Sequence, residues 1–333
     1  MNNILDDIEF PNNDDKELSY NIPSRNKTPG EIIWSFGGGA VKWISLAEGA
    51  KVSIKRNGYP TVVIGVSAGA LLAPIIAVSK RLPDILDRAI NIGRTLKSSD
   101  IFPYKGNSPF NKKGKPTVNA IFRILTGYNH LGFQDIGPLY KSLFTDKVFA
   151  EFKKSDILCY AFGVKGKDFS PSIVCLNDAK TVTELIAMIE LSSRIVPFVQ
   201  PAKFKEDFYI DGGFVANNAA WVIREMFDIK ELITFYTNVI EYNIKTNDKW
   251  DGNILQVVTQ CMGGMAHWHS IKDRLIEEYY CKANCISYMC IEYPCSAINE
   301  VYDTDDNQLE AAGIEAREIT EAKWTEYFQN KNR

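Results

Sequence analysis

A chain of 333 residues, 45% hydrophobic and 24% charged, has the composition of an ordinary soluble globular protein, long enough for one large domain or two small ones. Its formal net charge of -3 points to no general nucleic-acid partner, and no run reaches the roughly 18 consecutive apolar residues of a membrane span. The start, Met1-Asn2-Asn3-Ile4-Leu5-Asp6-Asp7, carries neither the basic nor the apolar region of a secretory signal, so a cytoplasmic location is expected.

Residues 1–29 are polar, with Pro11, Pro23 and Pro29 and no sustained periodicity, and read as a flexible lead-in to one domain over 30–333. The first strand, Ile32 to Phe36, runs into Gly37-Gly38-Gly39. A triple glycine behind a strand leaves backbone N–H groups free to face an anion, which makes these three residues a candidate oxyanion hole. Ala40 to Arg56 spaces its apolar residues as an amphipathic helix does, and Asn57-Gly58 stops it. A second apolar strand, Thr61 to Ile64, leads to Gly65-Val66-Ser67-Ala68-Gly69. This G-x-S-x-G turn exposes a serine between a strand and a helix, so Ser67 is the candidate nucleophile. Strand, helix and strand predict a right-handed βαβ unit whose parallel strands, apolar on both faces, are central.

Ala68 to Lys80 is apolar nearly all round, as a buried helix is, and aims its N-terminal dipole at Ser67. Pro74 is expected to kink it. Helical patterns follow over Pro83–Leu96, Val118–Thr126 and Ile136–Lys154. Between the first two lies Lys105–Pro116, with four lysines and no acidic residue: a solvated loop, or a lid facing anionic headgroups. Two strands, Ile157–Val164 and Ser172–Leu176, a helix Thr181–Ser193, and a short strand Phe204–Ile210 lead to Asp211-Gly212-Gly213. Helix Ala216–Phe227, strand Leu232–Tyr236, helix Ile254–Cys281, strand Ile286–Tyr293 and helix Leu309–Phe328 complete an α/β alternation with a mainly parallel central sheet.

A serine hydroxyl needs a base. The chain has only His130, His267 and His269, and the latter two lie in a helical stretch rather than at a strand end. Asp211 ends an apolar strand, where open α/β sheets gather functional groups. A partly desolvated carboxylate there can accept the serine proton, although Asp-Gly is also ordinary turn chemistry.

Gly37-Gly38-Gly39, Gly65-Val66-Ser67-Ala68-Gly69, Asp211-Gly212-Gly213 with Asn217-Asn218, and Leu191-Ser192-Ser193-Arg194-Ile195-Val196-Pro197-Phe198 together resemble the patatin-like phospholipases over roughly 31–220. The resemblance implies a three-layer α/β fold and a Ser–Asp dyad, with Ser67 as nucleophile, Asp211 as base and the glycine-loop amides as oxyanion donors. It further implies an acyl-lipid substrate such as a phospholipid or lysophospholipid, peripheral contact with a membrane surface, and no cofactor or metal. One departure stands out: Val41 occupies the position where the family carries a basic residue, and Lys42 follows where it carries glycine. That change bears on headgroup preference and loop geometry.

Two other readings remain open on sequence. One is a Ser–Asp–His esterase using His267 or His269; the other is a lipid-binding protein that keeps the fold without turnover. Weaker signals are read as structural. Cys281, Cys285, Cys290 and Cys295 lack paired zinc spacing and are expected as buried, reduced thiols. Asp303-Thr304-Asp305-Asp306-Asn307 begins like a calcium loop but lacks its glycine and glutamate, and is expected as a turn. Asn26-Lys27-Thr28 fits a glycosylation sequon that matters only in a secreted chain.

Overall fold

A computed structural model describes residues 31–95, 137–195, 201–237, 254–298 and 306–331. The expected lead-in over 1–29, the sequon at Asn26, His130, the Lys105–Pro116 loop, the helix Val118–Thr126, Pro197 and the start of the calcium-like run lie outside the described residues; Asp306 and Asn307 open the last helix.

Strand β1 (Glu31–Phe36) and strand β2 (Val62–Val66) are joined by helix α1 (Trp43–Asn57) and pair in parallel. A single 3₁₀ turn, Ala40–Lys42, precedes α1. Gly58, with φ 81°, closes α1 by donating its N–H to the Ile54 carbonyl, the expected glycine stop. Helix α2 (Ala68–Ser79) buries every residue after its first, and α3 (Asp84–Thr95) follows. The single expected helix Ile136–Lys154 is two, α4 (Gly137–Leu143) and α5 (Asp146–Lys153), divided where the Thr145 hydroxyl caps the Val148 N–H.

Next come β3 (Leu158–Lys165), β4 (Pro171–Cys175) and α6 (Val182–Glu190). The expected strand Phe204–Ile210 is a hairpin, β5 (Ala202–Phe204) and β6 (Asp207–Asp211), turning at Lys205, whose φ is 56°. The expected helix Ala216–Phe227 is reduced to α7 (Ala220–Ile223), because Asn217 and Asn218 are held outside helical geometry by partners elsewhere. Then follow β7 (Ile229–Tyr236), α8 (Ile254–Ala283), β8 (Ser287–Glu292) and α9 (Asp306–Lys331).

The strands form one sheet whose pairings run β5-β6-β3-β2-β1-β7-β8, with β4 also paired to β3. Pairings from β3 through β2, β1 and β7 to β8 are parallel; β4 and β6 run antiparallel to β3. This is the expected mainly parallel sheet with β1 and β2 at its centre. Side-chain alternation on a strand divides the core. Trp34 and Phe36 face one layer with α1, α2, α3 and α9, whereas Ile33, Ile64 and Val66 face the other with α7 and the end of α8. Helices on both faces give three layers.

The register sets up the site. Residues 160–162 of β3 pair with both β2 and β4, so those two strands take opposite edges of β3; residues 163 and 164 pair with both β4 and β6, so β6 shares the edge of β2. Val66 lies opposite Phe162 and Asp211 opposite Gly163. Strands β2 and β6 therefore meet head to head along β3, and the residue after Val66 is Ser67.

Candidate active site

The turn at Ser67 requires two close backbone crossings. A Cβ on Gly65 would stand 2.1 Å from the Gly69 carbonyl carbon, and one on Gly69 would stand 2.4 Å from the Phe36 carbonyl oxygen. Neither position admits a side chain, because real Cβ atoms do not approach backbone so closely. At the apex Ser67 has φ 53°, an unfavourable conformation for a residue with a Cβ. Strain of this kind persists only where surroundings hold it. Here the Ser192 hydroxyl accepts the Ser67 N–H at 2.7 Å and itself donates to the Phe162 carbonyl, tying the elbow to β3.

Ser67 is 6% exposed and Asp211 5%. The Ser67 hydroxyl donates to Asp211 Oδ2 at 2.6 Å, and the other carboxylate oxygen accepts the Gly213 N–H at 2.8 Å. The backbone N–H of Asp211 donates to the Arg194 carbonyl at 3.0 Å, fixing the end of β6. Burial pushes the Asp211 carboxyl up to about 6, with the Ser67 and Gly213 hydrogen bonds pulling the other way. Burial disfavours the charged form while the two donors favour it, and the result is a carboxylate whose proton affinity lies near neutrality.

The glycine loop is pressed against both sides of the site. A Cβ on Gly38 would stand 3.2 Å from the Ser67 Cβ and 3.2 Å from Asn217 Oδ1. The expectation of three free amides is narrowed. The Gly37 N–H donates to the Phe235 carbonyl at 2.9 Å and the Gly38 N–H to the Asn217 carbonyl at 3.1 Å. Among the described residues, the Gly39 N–H and the Ala68 N–H at the start of α2 donate to no protein acceptor. Thr237 donates its hydroxyl to the Gly38 carbonyl at 2.6 Å. Burial raises the pKa of the Cys295 thiol past the end of β8, with the Ser45 hydrogen bond and the charge of Lys42, beyond the loop, pulling the other way.

The two described histidines, His267 and His269, stand apart from this contact. His269 lies on α8, half-buried, with Nδ1 3.4 Å from Lys272 Nζ; burial and the Lys272 charge lower its pKa. Neither it nor His267 hydrogen-bonds Ser67. Of the clustered cysteines, Cys281 and Cys295 are buried in different halves of the core, while Cys285 is exposed, against the expectation of a buried thiol. Among the described residues no three His, Cys, Asp or Glu side chains are grouped to hold a metal ion.

Residues that the sequence did not single out complete the surroundings. Ser192 lies in the small-residue segment but its hold on the Ser67 amide was not legible. Asp273 on α8 accepts the Asn217 and Asn218 amides at 2.8 and 3.0 Å. A signal existed: Ser270, Asp273 and Glu277 recur at helical spacing on one face, all buried, and polar residues on a buried helix face need partners.

A family model described as Patatin-like phospholipase matches residues 35–223, more than half of the sequence, and the chain belongs to the patatin-like phospholipase family. Membership implies lipid acyl hydrolase activity. None of the curated proteins matches. Among solved structures, VipD from Legionella pneumophila is similar, with a TM-score of 0.44 and 12% identity over 90% of this chain and 68% of that one. No described helix is long and apolar enough to cross a membrane.

Proposed function

We propose that this protein cleaves acyl ester bonds of phospholipids or lysophospholipids through an acyl-serine intermediate, with Ser67 as nucleophile and Asp211 as its only base. The observation that carries the reading is the 2.6 Å contact between the Ser67 hydroxyl and a buried carboxylate whose pKa is about 6. In the first half-reaction Asp211 takes the hydroxyl proton as Ser67 Oγ attacks the ester carbonyl; collapse of the tetrahedral intermediate returns that proton to the departing alcohol and leaves acyl-Ser67. In the second half Asp211 takes a proton from water, the resulting hydroxide attacks the acyl group, and the fatty acid leaves as Ser67 regains its proton.

The oxyanion formed in each half faces the start of α2, where the helix dipole favours negative charge. We assign the Gly39 and Ala68 N–H groups as its donors. Gly37 and Gly38 then serve as the narrow path of the loop, a role their close approach to Asn217 supports. We take residues 30–333 as one acyl hydrolase domain that meets its substrate at a membrane surface, acting without a cofactor.

A second reading, a lipid-binding protein without turnover, draws on one observation: two of the three loop amides are hydrogen-bonded within the protein. Reaction with a fluorophosphonate probe separates the two. Hydrolase chemistry requires covalent capture at Ser67 that is lost in Ser67→Ala and slowed in Asp211→Asn; a folded protein that never reacts fits only the binding reading.

A further inference from the structure

The segment that follows Asp211 is gripped by about one turn of α8. Lys272 Nζ donates to the Val215 carbonyl at 3.0 Å, Asp273 Oδ2 accepts the N–H groups of both Asn217 and Asn218, and the Ser270 hydroxyl accepts from Asn217 Nδ2 at 2.7 Å. Asp273 is fully buried, and its second oxygen lies 3.5 Å from Lys272 Nζ. Burying a carboxylate is costly unless donors meet it. In return for that cost Asp273 fixes two consecutive peptide units outside helical geometry.

Those two peptide units lead directly to the glycine loop. The Asn217 carbonyl accepts the Gly38 N–H, and the Asn218 side chain is joined twice to Ser35 on β1, accepting from its hydroxyl and donating to its carbonyl at 3.3 Å. Gly38 is the residue on which an added Cβ would stand 3.2 Å from the Ser67 Cβ, and Gly39 follows it. A shift of the Asn217 carbonyl therefore moves the Gly37–Gly38 peptide, whose N–H it accepts, and with it Gly39, relative to Ser67.

We propose that Asp273 is a positioning residue of this hydrolase, acting through Asn217 to set the Gly39 amide against the oxyanion formed on Ser67. It touches neither substrate nor reacting atoms, and no proton passes through it. Its contribution is to the transition state alone, since the amide it aims binds a charge absent from the bound ester. The inference rests on Ser67 being the nucleophile.

The experiment measures kcat and KM on a soluble p-nitrophenyl ester, the rate of Ser67 capture by a fluorophosphonate, and melting temperature, for the full chain, Asp273→Ala, Asp273→Asn and Ser67→Ala. Asparagine keeps one acceptor oxygen for the two amides; alanine keeps none. Asp273→Ala is expected to lower kcat and the capture rate about 10²-fold, the scale of an ångström misplacement, with KM within about twofold. Asp273→Asn is expected to recover part of that loss while staying below the parent in both kcat and capture rate. Where Asp273→Ala fails to fold, Asp273→Asn decides: a lowered kcat with matching slower capture at unchanged KM supports the role. Unchanged kcat in a folded variant, or a loss that falls on KM alone, overturns it. Ester turnover that persists in Ser67→Ala overturns the nucleophile itself, a separate failure read in the same assay.

Discussion

At the scale of single residues, the proposed chemistry depends on the state of one carboxyl. Asp211 can act as a base only when ionised, and burial places its pKa at about 6. On this account kcat/KM, which reports the free enzyme, rises with pH through about 6 and then levels; a profile governed instead by a histidine would keep its shape in Asp211→Asn. The same shift affects stability in the opposite sense. An unfolded chain binds this proton only below about 3.9, so between about 4 and 6 the folded state holds more protons, and stability falls as pH rises. Two pKa units correspond to roughly 3 kcal/mol. The Asp273 carboxyl, raised to about 6 mainly by burial, adds in the same direction. Asp211→Asn should therefore melt higher than the parent at pH 7.5 while losing activity, and the difference in melting temperature should shrink as the pH is lowered towards 4. A variant that melts lower at both pH values would contradict this. Ser192→Ala removes the acceptor of the Ser67 N–H and should reduce kcat more than KM, as measured on a soluble ester.

The elements show why some of this was legible and some was not. The elbow was readable because its requirement is steric: Gly65 and Gly69 sit where the backbones of β1, β2 and α2 nearly touch, and no other residue type fits. Gly69→Ala should unfold or strongly destabilise the protein, by several kcal/mol in chemical denaturation, since backbone rather than a flexible side chain blocks the added carbon. Helix α6 follows its pattern, and its start at Thr181, whose hydroxyl accepts the Glu184 N–H, obeys ordinary capping rules. Thr181→Ala should cost about 1 kcal/mol. Helix Ala216–Phe227 was misread because its apolar residues have helical spacing but its polar pair, Asn217-Asn218, answers to Asp273 and Ser35 across the fold. The hairpin at Lys205 was missed because a left-handed lysine gives no glycine or asparagine to announce it. The glycine loop was legible as a loop, but which of its amides are free depends on the carbonyls of Asn217 and Phe235, which no local pattern reveals.

For the molecule as a whole, alternation of apolar strands and helices was enough to show a mainly parallel central sheet, and the family resemblance implied its three layers, while the head-to-head meeting of β2 and β6 along β3 was not legible. That meeting depends on an antiparallel strand entering a parallel sheet, and it brings residues 144 positions apart into contact. The last helix lies beyond the family match yet belongs to the same core. Trp324 is fully buried, donates to Ser53 on α1 at 2.9 Å, and Arg317 reaches the buried Glu48 at 2.7 Å. Trp324→Ala should cost about 3–5 kcal/mol, seen as one cooperative transition at lower denaturant; a separate early transition would mean that α9 unfolds on its own.

The central claim is the Ser67–Asp211 dyad, and fatty acid release from mixed phospholipid vesicles tests it most directly, with the parent protein set against Ser67→Ala and Asp211→Asn at matched folding. The account predicts release by the parent and none above background by either variant. Release that survives in either folded variant would contradict it.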